Sequence, residues 1–222
     1  MVYSTRDSNP TVEPIRIAGT PLGDHCHICA FFHSADDEYR ALLPFIKEGL
    51  ARGEKAFHVV DPDLREDHLR HLTSAGIDTG EAEQSGQLEL RNWQDAYLRD
   101  GHFDQNRMLA LLQGTLDGAK KQGFPLTRLV AHMEWALEDR PGVNDIVEYE
   151  TRLNYFLHQY KDPVICVYDL AKFRAETVID IMRTHPMIII GGVLQENPFF
   201  VPPDQFLREL RNRRDRHSLS PA

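Results

Sequence analysis

The residues best suited to chemistry are concentrated in one stretch near the N-terminus, DHCHICAFFHSADDEYR, positions 24–40. Three histidines and two cysteines fall within its first ten positions, and three acids follow. Such a set suggests a metal site, a redox dithiol, a nucleotide loop or a buried strand opening onto a helix. A redox CxxC owes its low thiol pKa to a helix N-terminus. Cys26 and Cys29 instead lie in an apolar, β-prone run, where positions i and i+3 point to opposite faces. Dithiol chemistry and shared metal binding by that pair are discounted. His27 and Cys29 stand at i, i+2 and share a face, so they can meet one ligand or one zinc ion. A closed zinc site needs two further donors. His132, Glu134 and Cys166 are candidates in other strands, and spacing alone does not bring them together. Three readings of the pair stay open: packed strand residues, a ligand-facing pair, or metal donors.

Phosphate chemistry is easier to judge. A P-loop needs glycines for close backbone approach and a lysine for charge, as in GxxxxGK[ST]. The junction FFHSADDEYR contains neither. Asp36, Asp37 and Glu38 occupy the expected helix start, where carboxylates suit the helix dipole and repel phosphate. Glu134, in HMEW, ends an apolar strand where P-loop NTPases place a Mg²⁺-binding carboxylate. Trp135 beside it offers an apolar wall. A local hydrogen bond and a core-filling indole are the plain alternatives. Tyr168 and Asp169 end another apolar run, with Asp169 also a candidate N-cap. His33 and His185 sit at element boundaries as turn or capping residues. Glu148 and Glu150 are i, i+2 on a helix and do not face each other. There is no GxSxG and no HExxH, so no motif assigns a nucleophile, a metal or a cofactor.

The elements that must position these residues alternate regularly. Ser34 and Asp37 form a capping-box pattern ahead of a helix with Tyr39, Leu42, Leu43, Ile46 and Leu50 on one face, and Pro44 is expected to kink it. KAFHVVDP, QLELRNW, LTRLVAHMEW, PVICVYDL and MIIIGGVL read as strands separated by helical segments. The predicted class is α/β, a mostly parallel sheet with helices on both faces. Residues 1–16 read as an arm, 17–211 as one domain and 212–222 as a tail. A net charge of −9 argues against direct nucleic-acid binding, and the basic run RELRNRRDRH is interrupted by acids. No apolar run approaches the ~18 residues of a membrane span. Three cysteines and no export signal suit a reducing cytoplasm.

In their order along the chain, HICAFFHSADDEYRALLPFIKEGLARGEKAFHVVDP, HMEWA, EYETRLN, VICVYDL and RTHPMIIIGGVLQENPFFVPP resemble the MEDS domain, the methanogen/methylotroph DcmR sensory domain. The likeness runs from about Ile17 to Arg211. It implies a RecA-like fold without a functional P-loop and a role in sensing small hydrocarbon derivatives in prokaryotic signal transduction. It also implies an output carried by a signalling partner or a homo-oligomer, since only about ten residues follow the matched region. Its HxC element falls on His27 and Cys29, EYR on Glu38 to Arg40, HMEW on His132 to Trp135, CVYD on Cys166 to Asp169, and THP on Thr184 to Pro186. The residues expected to bind a small organic ligand are His27, Cys29, His33, Glu38, Tyr39, His132, Glu134, Trp135, Tyr168 and His185. Two rivals stand beside the sensor: a metal-assisted enzyme built on His27 and Cys29, and an interaction protein docking through PPDQFLRELRNRR.

Overall fold

The computed structural model describes residues 13–218. Residues 1–12 of the expected arm and 219–222 of the expected tail lie outside the described part. The described chain opens with a small hairpin, β1 (Arg16–Ile17) and β2 (Thr20–Pro21). β3 (His27–Phe32) follows and is buried along its whole length, as an unbroken apolar run must be when both sheet faces are covered. Ser34 caps α1 (Ala35–Ala51): its hydroxyl accepts from the Asp37 backbone N–H and donates to the Asp37 carboxylate. The kink expected at Pro44 does not interrupt α1. Pro44 lies on the exposed face, where solvent can satisfy the carbonyl that its ring leaves free.

The alternation continues through β4 (Lys55–Val60), α2 (Arg65–Ser74), a short α3 (Thr79–Gln84), β5 (Leu88–Asn92) and a single turn, α4 (Trp93–Ala96). Then come α5 (Gln105–Lys121), β6 (Thr127–His132), α6 (Ile146–Leu157), β7 (Val164–Asp169) and α7 (Ala175–Met182). The expected last strand is two: β8 (Met187–Ile190) and β9 (Val193–Glu196) pair antiparallel across Gly191 and Gly192, which hold φ of 58° and 74°. A two-residue hairpin loop needs such positive φ, which glycine adopts without steric cost. α8 (Pro203–Ser218) runs through residue 211 without a break and buries Phe206.

The main sheet has the order β5-β4-β6-β7-β3-β8-β9, parallel except for β9. Side-chain parity divides the core. Ile28, Ala30, Phe32 and Val167 pack with Leu42, Phe45 and Ile46 of α1. Cys29, Phe31, Cys166 and Tyr168 pack with Leu112 of α5 and Leu153 and Leu157 of α6. The connections follow the same division: α1 to α3 carry the chain outward on one face, and α5 to α7 return it on the other. The link out of β4 therefore leads to β5, while the link out of its neighbour β6 leads the other way to β7. Adjacent strands whose connections part in this way leave a crevice at their carboxyl ends, the usual ligand position in open α/β sheets.

Candidate functional site

A cavity of about 150 Å³ opens at that crevice. Val60 and Asp61 reach it from the end of β4, His132 and Glu134 from the end of β6, and Glu38 and Tyr39 from the first turns of α1. Phe32, Leu64 and Val167 add apolar wall, and Lys172 stands at its margin. His132 Nε2 lies 2.7 Å from Glu38 Oε1. Burial alone would lower the imidazole pKa, but the Glu38 charge and hydrogen bond, helped by Glu134, outweigh it and raise His132 to about 9. His132 is thus an imidazolium paired with a carboxylate at neutral pH. Lys172 Nζ is 3.6 Å from both Glu134 Oε1 and Asp169 Oδ2. The second oxygen of Glu134, Oε2, is buried with no hydrogen-bond partner.

Behind the wall runs a chain of rings. Tyr39 Oη is 2.8 Å from His68 Nδ1, and His68 Nε2 is 2.9 Å from His58 Nδ1. Burial, reinforced by the neighbouring histidines, holds His68 well below its ordinary value, and burial with His132 holds His58 at about 3. Both are neutral, so the chain passes hydrogen bonds but carries no charge.

The ten expected ligand residues do not share this cavity. Glu38, Tyr39, His132 and Glu134 line it. His33 is exposed on a neighbouring surface groove with Asp37 and Arg40. Trp135 is fully buried and stacks on Tyr97 with ring centres 4.4 Å apart, so it fills the core instead of forming a pocket wall. Cys29 is buried with Sγ 3.7 Å from the Met187 carbonyl. His27, Tyr168 and His185 lie on the opposite face of the sheet. They gather around Glu150 of α6, a residue the sequence reading passed over. The separation follows from strand geometry: Cys166 and Tyr168 point away from the face to which Phe32 and Val167 belong. Asp169 does not cap α7, whose first turn begins six residues later; it accepts from the Ala171 N–H in a turn.

The Glu150 cluster is compact and sealed. His27, Glu150, Cys166 and His185 each place a donor atom within 4.8 Å of the others, and all four are buried. Glu150 Oε2 lies 3.2 Å from His27 Nε2, 3.5 Å from His185 Nε2 and 3.6 Å from Cys166 Sγ. Cys166 Sγ is 3.8 Å from His27 Nε2. Tyr168 donates its hydroxyl to Glu150 Oε1 at 2.7 Å. Burial and the adjacent His185 push His27 down to about 4, and burial pushes the Cys166 thiol well up. His27 thus meets Cys166, one strand over, and not Cys29. These are the residues of the described chain that could hold a metal ion.

Comparison with known proteins bears on the family and the fold. Residues 26–186 match the family described as MEDS: MEthanogen/methylotroph, DcmR Sensory domain. The chain is 27% identical over 180 residues to the transcriptional repressor DcmR of Methylorubrum extorquens, covering 81% of this chain and 65% of that protein. It therefore spans just under two thirds of that relative's length. A KaiC-like protein of Pyrococcus horikoshii superposes with a TM-score of 0.53 at 16% identity, over 79% of this chain and 80% of that one. That likeness supports the RecA-like fold alone. Among the described residues no helix is long and apolar enough to cross a membrane.

Proposed function

The chain belongs to the MEDS sensory-domain family, and from that premise we propose that it is a cytoplasmic small-molecule sensor whose ligand occupies the cavity between the ends of β4 and β6. The observation that carries this reading is Glu134 Oε2, a buried acceptor without a partner beside that cavity. A buried oxygen left unsatisfied costs ~1–3 kcal/mol, and a ligand O–H or N–H removes that cost. The volume sets the ligand's size. A cavity of ~150 Å³ accommodates a molecule of about benzene's dimensions, far smaller than a nucleotide. Acidic groups at the rim, Asp61, Asp67 and Asp169, disfavour anions. A small hydrocarbon derivative bearing one hydrogen-bond donor fits these conditions. The repressor function named for the Methylorubrum relative supports a place in gene regulation, with output through a protein partner or a second copy.

Titration with cyclohexanol, phenol and benzene, followed by amide NMR, tests the reading. The two alcohols should perturb resonances at the ends of β4 and β6 and in the first turn of α1, and benzene should bind more weakly. MgATP should leave them unmoved. Alcohols without effect at millimolar concentration, or micromolar binding of MgATP, would overturn it.

A further inference from the structure

Hydrogen bonding leaves one member of the Glu150 cluster, His185 Nε2, without a partner, and the tautomers of both histidines can be read from their neighbours. Asn154 Nδ2 donates to the carbonyls of Glu150, Thr151 and Thr184 at 3.2, 3.2 and 2.8 Å. Its oxygen therefore faces His27 Nδ1, 3.1 Å away. An amide oxygen only accepts, so His27 carries its proton on Nδ1 and turns the Nε2 lone pair toward Glu150. His185 repeats the arrangement. Its Nδ1 lies 3.0 Å from the Ile181 carbonyl and 2.7 Å from Thr184 Oγ1, whose own proton goes to that same carbonyl at 2.7 Å. The His185 proton thus sits on Nδ1, and its Nε2, fully buried, has no hydrogen-bond partner. Two imidazole lone pairs converge on one carboxylate oxygen in a dry interior. Three acceptors in that position repel one another unless a proton or a metal ion lies between them.

We propose that His27 Nε2, His185 Nε2, Glu150 Oε2 and Cys166 Sγ bind one Zn²⁺ ion in a closed structural site. Zinc bonds of ~2.0–2.3 Å to nitrogen, oxygen and sulfur set the corners of a tetrahedron roughly 3.3–3.8 Å apart. Four of the six edges, at 3.2, 3.5, 3.6 and 3.8 Å, lie close to that range, and the two edges from His185 Nε2 to His27 Nε2 and to Cys166 Sγ lie within 4.8 Å. Two neutral imidazoles, one carboxylate and one thiolate balance the ion's charge. The ion exchanges its coordinated waters for the four donors, Cys166 gives its thiol proton to solvent as the sulfur–zinc bond forms, and no group changes oxidation state. The outer contacts are those that orient metal ligands: each histidine donates its Nδ1–H to an oxygen, and Tyr168 holds the Glu150 carboxylate with Oε2 inward. Four protein donors leave no open position for substrate, so the ion ties β3, β7, α6 and the turn before β8 together and performs no catalysis.

The full-length chain, refolded with Zn²⁺ or Co²⁺ and desalted, is expected to retain one ion per chain by elemental analysis. Its cobalt form should show tetrahedral visible bands and thiolate-to-metal absorption. Cys166→Ser should abolish the thiolate absorption, and Asn154→Ala should lower metal affinity roughly 10–100-fold. Should Cys166→Ser fail to fold, a Cys26→Ser/Cys29→Ala chain serves instead and is expected to keep the full absorption. A chain that refolds equally well without metal and retains no ion would overturn the proposal. So would thiolate absorption that survives Cys166→Ser or vanishes in the double variant.

Discussion

Replacing Glu38 by glutamine removes the charge that holds His132 protonated while keeping an oxygen within reach of its Nε2–H. In the folded chain His132 titrates near 9, against 6.5 for an unperturbed histidine. At 1.36 kcal/mol per unit this difference corresponds to about 3 kcal/mol of pH-dependent stability. The ring is only 13% exposed, so solvent screening discounts that value little. Because the folded pKa lies above the unfolded one, the stabilisation is complete below pH 6.5 and is lost as pH rises from 6.5 through about 9. Urea unfolding of both chains, followed by circular dichroism at steps from pH 6 to 10, measures it. The comparison is the difference between the chains at each pH, which removes contributions from titrating groups that His132 does not influence. The variant is expected to be less stable by about 3 kcal/mol at pH 6, with the gap closing above pH 9. A gap that stays constant, or widens with pH, would show that Glu38 and His132 are not coupled in this way.

Glu134→Ala should leave the fold intact and weaken cyclohexanol binding by roughly 10–100-fold, the value of ~1.5–3 kcal/mol for a hydrogen bond to a charged group; an unchanged dissociation constant by NMR titration would remove Glu134 from the site. Arg128 is 1% exposed and bonds Glu54, Glu48 and the Phe45 carbonyl. Arg128→Ala strands the mostly buried Glu54 and should cost ~3–5 kcal/mol in urea unfolding, whereas a loss under 1 kcal/mol would mean that water replaces the guanidinium. Below neutrality the sign reverses. His58 and His68 have depressed folded pKa values, so the unfolded chain takes up protons first and stability falls as pH drops below 6.5. His58→Asn should flatten that fall in an acid titration by circular dichroism, and an undiminished slope would place the acid sensitivity elsewhere.

Sequence reasoning recovered what local patterns encode. Unbroken apolar runs flanked by helices identified the buried parallel strands, and the Ser34–Asp37 cap is where the capping pattern put it. The junction between β3 and α1 carries no glycine and opens the helix with Asp36, Asp37 and Glu38, as the sequence reads. The misplacements have physical causes. MIIIGGVL contains a two-glycine hairpin turn in an otherwise continuous apolar run, and hydropathy does not register a chain reversal. Trp135 adjoins Glu134 in sequence, but the short turn after β6 sends the carboxylate to the cavity and the indole into the core beside Tyr97.

The Glu150 cluster shows most clearly where spacing fails and where it could have succeeded. Its donors come from four elements at positions 27, 150, 166 and 185, so no short motif contains them. A signal was nonetheless present within α6. Ile146, Glu150, Leu153 and Leu157 recur at i, i+4, i+7 and i+11, the spacing of a single buried stripe. A glutamate on such a stripe is almost never fully buried unless paired, and it needs partners on the strands that the stripe covers. Comparing Glu150 with Glu148 concealed this; comparing it with its own helix face would have exposed it. Parity on β7 then completes the layout. Val167 faces the cavity, while Cys166 and Tyr168 on either side of it reach Glu150 through the other face. One strand therefore forms part of the cavity wall on one side of the sheet and part of the donor cluster on the other.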